Sequence, residues 1–186
     1  MPAMTDFLAE TTNLLRRTPV VLQALLTDLP ASWADTRDTA DGWRPRDVVG
    51  HLITAEQSNW LDRIHRILEH GTSMAFDGFD RFAMLQRDTG RSLDDLVAQF
   101  SSLRRRNLEA VVELALSEAD LDRGGLHPAL GEVTMRNLLA TWSVHDLDHV
   151  SQVFAGMAGS RDAAVGPWKV YAGVLLRRTD PAAKPG

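Results

Sequence analysis

The chain has 186 residues, 44% hydrophobic and 24% charged, the composition of one ordinary globular domain with a sizeable core. Its 20 basic against 25 acidic side chains give a formal net charge of -5, which leaves no cationic surplus to follow a phosphate backbone, so nucleic acid is not an expected partner. Cysteine is absent, which excludes disulfides, thiolate catalysis and Cys-ligated metal sites, and leaves His, Asp and Glu to hold any metal.

Apolar residues recur at helical spacing in four long segments, with no sustained β-branched alternation, so the predicted fold is all-α. The first segment carries Leu8, Leu14, Leu15, Leu22, Leu25, Leu26 and Leu29. Pro19 inside it predicts a kink or break near Thr18, and Pro30 ends it. Asp35, Asp38 and Asp41 then form a solvated acidic loop. The second segment starts after Trp43-Arg44, with Pro45 suited to a first-turn position, and runs through Val48, Val49, Leu52, Ile53, Trp60, Ile64 and Ile67 to Gly71. Residues 71–91 are too long for a tight turn and read as a crossover from one end of a bundle to the other.

Ser92, with Asp95 three positions on, has the pattern of a capping box. It starts a third helix with the stripe Leu93, Leu96, Val97, Phe100, Leu103, Leu108, Val111 and Val112, fraying by about Ser117. The run Arg104-Arg105-Arg106 reads as a solvated face of this helix. After a polar loop around Gly124-Gly125 and Gly131, Thr134 N-caps a fourth helix that carries Met135, Leu138, Leu139, Trp142, Val150, Val153 and Met157 and stops at Gly156 or Gly159. Pro167-Trp168 open a short C-terminal helix through Tyr171, Val174 and Leu175, and residues 179–186 read as a loose tail. The whole of 1–186 is expected to be a single domain, with its core at about 5–158 and a C-terminal extension at 159–186. No apolar run approaches the ~18 residues of a membrane span, and the N-terminus lacks the basic-then-apolar order of a signal peptide. A cytoplasmic protein with no membrane partner is expected.

The fourth helix holds the informative motif, His145-Asp146-Leu147-Asp148-His149. Spacing of four puts both imidazoles on one helix face, a turn apart, where they can share one metal ion. At ~100° per residue they continue the stripe of Leu138, Trp142 and Val153, so they point into the bundle. A third ligand should come from a facing helix. His51, at the edge of the second helix's apolar stripe, is the better candidate. His65, ~21 Å further along that helix, is the competitor, and only one of the two can reach the site.

Three neutral imidazoles with an open position are the arrangement of a catalytic Zn²⁺, although Ni²⁺, Fe²⁺ and Mn²⁺ also suit imidazole. Gln152, Asp146 and Asp148 are candidate outer-shell or pocket groups. Glu56 is a candidate general base, against the plainer reading of a solvated helix-face carboxylate. Trp142 joins the pocket or the core. His70 suits the negative end of its helix, and His127, beside Pro128, is a loop residue that could rim a pocket.

The stretches Arg17–Leu26, Gly42-Trp43-Arg44-Pro45-Arg46-Asp47-Val48-Val49-Gly50-His51-Leu52, and Thr134–Trp142 leading into His145-x-x-x-His149 with Gln152 resemble the DinB-like (YfiT-type) superfamily of bacterial metal-dependent proteins. The resemblance covers about residues 5–158. It implies a four-helix bundle with up-down-down-up connection, and a divalent metal, zinc or nickel, on His51, His145 and His149. Relatives include thiol-S-transferases and isomerases that use a low-molecular-weight thiol, and many members of unassigned reaction. The implied activity is therefore a thiol-S-transferase-like or hydrolase-like reaction on a small-molecule substrate. The alternative is a non-catalytic stress-response or binding module with a structural metal or none. The resemblance also implies a homodimer through helix faces. A thiol cosubstrate with carboxylates calls for cations at the pocket mouth, for which Arg44, Arg46 and Arg136 are the candidates.

Overall fold

Helix α1, Asp6–Leu26, buries Leu8, Leu15, Leu22 and Leu26 along one stripe. In the computed structural model, which describes residues 6–37, 39 and 42–176, a single turn α2 (Ala31–Ala34) follows Pro30, and α3 (Pro45–Ser58) starts on its proline. The predicted second helix is not continuous. Asn59 leaves the helical region at φ -127°, ψ -66°, and α4 (Trp60–His70) resumes after it, still linked to α3 by the Asn59 amide on the Ala55 carbonyl at 3.2 Å. Gly71, at φ 58°, ends α4 where a side chain would be strained. The crossover holds one short helix, α5 (Met84–Arg87), before α6 (Leu93–Glu113).

The helix starts legible in the sequence are where capping chemistry placed them. Ser92 Oγ accepts from the Asp95 amide at 3.1 Å, and Thr134 Oγ accepts from the Asn137 amide at 3.1 Å. Between α6 and the last long helix lie α7 (Glu118–Leu121) and an antiparallel hairpin of β1 (Gly124–His127) and β2 (Gly131–Thr134). The hairpin corrects the expectation of a plain polar loop. Its glycines allow the close approach that makes it: a Cβ on Gly125 would stand 2.6 Å from Ile67 Cγ1 and 2.8 Å from Phe76 Cζ. Helix α8 (Met135–Gly159) is followed by α9 (Asp162–Val165), a 3₁₀ stretch at Gly166–Tyr171 and the short C-terminal helix α10 (Gly173–Leu176). The tail expected at 179–186, and Asp38 and Asp41 of the acidic loop, lie outside the described residues.

Helix α1 packs on α6 and α8, and α3 packs on the same two, with α4 continuing along α8. The four long segments thus form an up-down-down-up four-helix bundle, with residues 71–92 as the crossover. No helix among the described residues is long and apolar enough to cross a membrane.

The core is divided. One apolar cluster gathers Leu8, Leu15, Trp60, Ile64, Leu108, Leu139 and Trp142, and the other Leu22, Leu26, Val49, Leu52, Phe100 and Val153. A polar layer lies between them, centred on Arg104, which is 1% exposed. The solvated reading of the Arg104–Arg106 run therefore holds for the exposed Arg105 and Arg106 and fails at Arg104, and the solvated reading of Glu56 fails with it: Glu56 is buried as the partner of Arg104. The guanidinium gives Nε and Nη2 to Glu56 Oε1 (3.0 and 2.7 Å), Nη1 and Nη2 to the Asp146 carboxylate (2.5 and 2.9 Å), and Nη1 again to the Leu15 carbonyl (2.9 Å). Every N–H of the guanidinium is used. Asn107 Nδ2 and Trp142 Nε1 complete Glu56 at 2.8 and 3.1 Å. Burial opposes the charge on Arg104, but the two carboxylates outweigh it and hold its pKa above the ordinary value.

This layer also explains why Pro19 does not break α1, as the sequence led one to expect. Proline has no N–H for the carbonyl four residues back, and in α1 that carbonyl belongs to Leu15. Arg104 supplies the missing donor.

Replacing Arg104 by Met leaves two buried carboxylates without a cation. Urea unfolding of Arg104→Met is expected to show a loss of about 3–5 kcal/mol, with partial recovery when Glu56→Gln and Asp146→Asn are added. An unchanged midpoint in Arg104→Met would show that the layer does not hold the bundle together.

Candidate metal centre

Helix α3 carries His51 inward nearly two turns after its start, and α8 carries His145 and His149 on the face that continues from Trp142. The three imidazoles meet. His145 Nε2 lies 3.1 Å from His51 Nε2 and 3.1 Å from His149 Nε2, and one nitrogen from each ring falls within 4.8 Å of the others. The far nitrogens fix two of the rings: His51 Nδ1–H donates to the Arg81 carbonyl at 3.2 Å, and His149 Nδ1–H donates to Gln152 Oε1 at 3.0 Å. Those tautomers turn both Nε2 lone pairs toward His145. His145 Nδ1 is buried without a hydrogen-bond partner. Aromatic rings wall the cluster: Trp43 stacks on His149 with centroids 5.9 Å apart, Phe79 sets its edge to His51 at 5.5 Å, and Trp60 sets its edge to His145 at 5.2 Å.

A cleft of ≈ 380 Å³ reaches His145 from the side of α4, the crossover and the hairpin. Asn59, Trp60, Phe76, Phe79, His127 and Leu130 are among its lining residues. Its size is that of a small-molecule site, and its walls are mainly apolar with a few polar groups.

A family model of the DinB superfamily matches residues 14–153. The chain belongs to the DinB superfamily. Its fold is similar to that of YfiT from Bacillus subtilis, whose solved structure is described as a probable metal-dependent hydrolase with an unusual four-helix bundle topology. The TM-score is 0.70 at 20% identity, over 88% of this chain and 92% of that one. No curated protein matches the sequence.

The remaining site candidates of this DinB-superfamily chain separate clearly. Gln152 touches the cluster through His149. Asp146 faces away from the imidazoles onto Arg104, Glu56 belongs to the same buried layer, and Trp142 lies in the core, stacked on Trp60 at 5.4 Å. Asp148 is exposed, as are His65 and His70, so His51 is the second-helix histidine that joins the pair. Arg44 is engaged by Asp47, Arg46 by the Arg91 carbonyl, and Arg136 by Glu118. None of these three lines the cleft. The cation that does is Arg63, which the sequence reading passed over. Its signal was position: it is one turn beyond Asn59 on a helix whose other inward residues are apolar.

Burial is the largest cause of the histidine shifts. It brings His51 down to about 3 and His145 down to about 2, each helped by the neighbouring His149, and it lowers His149 as well. The folded protein therefore keeps these rings neutral where an unfolded chain, titrating near 6.5, takes up protons. The resulting stability is fully present above pH 6.5 and is lost as pH falls toward 3. Chelator-treated protein is expected to lose up to ~1.4 kcal/mol per pH unit per histidine within that window. Urea midpoints between pH 7.5 and 5 test this, and His145→Ala should flatten the slope. A wild-type slope equal to that of the variant would mean that the rings titrate normally.

Proposed function

We propose that His51, His145 and His149 hold one divalent metal ion, zinc or nickel, and that the protein is a metal-dependent enzyme acting on a small molecule admitted by the cleft. The observation that carries this is the convergence of three imidazole nitrogens within 4.8 Å, His145 Nε2 lying 3.1 Å from each of the other two, with two of their lone pairs aimed inward by the Arg81 carbonyl and Gln152. Ion–nitrogen bonds of ~2.0–2.1 Å in a tetrahedral site put ligand nitrogens roughly 3.3 Å apart, close to the observed spacing. Without a cation the facing lone pairs repel, unless His145 carries its proton on Nε2 and leaves Nδ1 as a bare buried acceptor.

The donor set favours an open site over a structural one. Glu56, which could have closed it as a fourth ligand, is committed to Arg104, and Asp148 faces solvent. Bound here, a divalent ion supplies Lewis acidity and makes a water or thiol nucleophilic near neutral pH. The chain's own groups do the rest. Arg81 and Gln152 orient two rings, and Trp43, Phe79 and Trp60 restrict water around them. Hydrolysis and thiol transfer both suit this arrangement, and activity that requires an added low-molecular-weight thiol assigns the second.

Elemental analysis of untagged protein is the test. Close to one ion per chain is expected in the wild type and almost none in His51→Ala and His149→Ala, with far-UV circular dichroism retained. Gln152→Ala is expected to weaken metal affinity by about 10–100-fold. A wild type that is metal-free and takes up neither zinc nor nickel overturns the reading and leaves the histidines as packing.

A further inference from the structure

The cleft carries more information than its size. Arg63 lines it with its guanidinium 5.1 Å from the centre of the Phe76 ring, itself a cleft wall. Arg63 is partly buried, and no carboxylate among the described residues pairs with it; burial alone bears on its charge, lowering its pKa. Six other buried or partly buried arginines are different. Arg44, Arg66, Arg87, Arg91, Arg104 and Arg136 all have carboxylate partners within 4.0 Å. A half-desolvated guanidinium left unpaired on a cavity wall is costly unless a ligand completes it.

Neighbouring polar atoms have the same character. Trp60 Nε1 and Asn59 Oδ1 are buried without hydrogen-bond partners, and both residues line the cleft. The break between α3 and α4 falls at Asn59 and brings these two residues side by side. On the hairpin, His127 Nδ1 accepts from the Ala129 and Leu130 amides, each at 3.2 Å, so its neutral ring carries the proton on Nε2 and is a donor. The cleft thus offers the Arg63 cation, the Trp60 and His127 N–H donors and the Asn59 Oδ1 acceptor, set among Phe76, Phe79, Leu130 and Leu138.

We propose that the cleft binds a small monocarboxylate with an apolar body, its carboxylate on Arg63 and its body extending along the aromatic wall toward His145. The planar fork of arginine matches a carboxylate, whereas a phosphate dianion would call for more cationic charge than one guanidinium provides. The body is apolar because the walls are. Trp60, whose ring lies 5.2 Å from that of His145, and its neighbour Asn59 supply a donor and an acceptor for a polar group nearer the reacting bond. This deepens the metalloenzyme reading by naming its substrate class, and it rests on that reading only for what happens at the histidine end.

The test is calorimetric titration of zinc-treated wild-type protein with 4-phenylbutyrate and with 4-phenylbutyramide, which share a body and differ in charge. The carboxylate is expected to bind about tenfold more tightly than the amide. Arg63→Met should erase that preference while leaving amide binding, and Arg63→Lys should keep part of it, with circular dichroism confirming the fold. Equal affinities in the wild type, or a preference that survives Arg63→Met, overturn the proposal. The same pair measured on His149→Ala separates the two readings. A preference lost there but retained in Arg63→Met means that an ion takes the carboxylate, so this proposal fails and the metal reading stands. A preference retained in His149→Ala supports the anion site, and the metal reading fails only if the wild type itself loads no metal.

Discussion

One guanidinium joins all four long helices. Arg104 on α6 reaches Glu56 on α3, Asp146 on α8 and the Leu15 carbonyl on α1, and the layer it makes is buried. Desolvating a cation and two carboxylates is expensive, and only an arrangement that satisfies all of them recovers the cost. A slip of one residue in α3 or α8 would strand a buried charge. The register so selected is also the register of the histidines, because Asp146 adjoins His145 in sequence and Glu56 follows His51 by five residues on one helix. The three imidazoles are held in place by a layer that does not touch their converging nitrogens.

Pro19 belongs to the same constraint. An interior proline costs a helix roughly 3 kcal/mol when its orphaned carbonyl stays unsatisfied. Here the orphan becomes an acceptor that α1 contributes to the Arg104 layer, a bond that an ordinary helical carbonyl would offer less freely. The exposed arginines Arg105 and Arg106 beside it show that adjacent residues of one type serve different faces, since each step along a helix turns ~100°.

The bundle and the histidine pair were legible because both depend on helical period: apolar stripes, cap residues at Ser92 and Thr134, and a spacing of four between His145 and His149. His51 was legible by its place at the stripe's edge. Arg104 and Glu56 were misread because their type, charged, was weighed above their position. Arg104 lies on the line of Phe100, Leu108 and Val111, Glu56 on the line of Leu52 and Ile53, and Asp146 on that of Trp142 and Val153. One charged residue on the buried stripe of each of three helices, with complementary signs, was the available signal. The hairpin was hidden for another reason: its strands are short, rich in glycine and cover the crossover, so they show no alternation. The break at Asn59 has no local marker, since no glycine or proline accompanies it.

The parts that escaped the sequence reading are those that shape the cleft. Helical period reports what packs inside the bundle, and the cleft is built only in part from that: the crossover gives Phe76 and Phe79 and the hairpin gives His127, Leu130 and Val133, facing Asn59, Trp60 and Arg63 at the broken helix and Leu138 and His145 on α8. Connections of this kind accept substitution at lower cost than a buried ionic layer, because fewer desolvated groups depend on them. The histidines sit at the boundary between the two regimes, with His149 and His145 anchored in α8 and His51 oriented by a crossover carbonyl at Arg81. A fold organised in this way can hold the three imidazoles in one geometry while the residues of the cleft beside them are exchanged. Membership of the superfamily therefore says less about what the cleft admits than the residues that line it do.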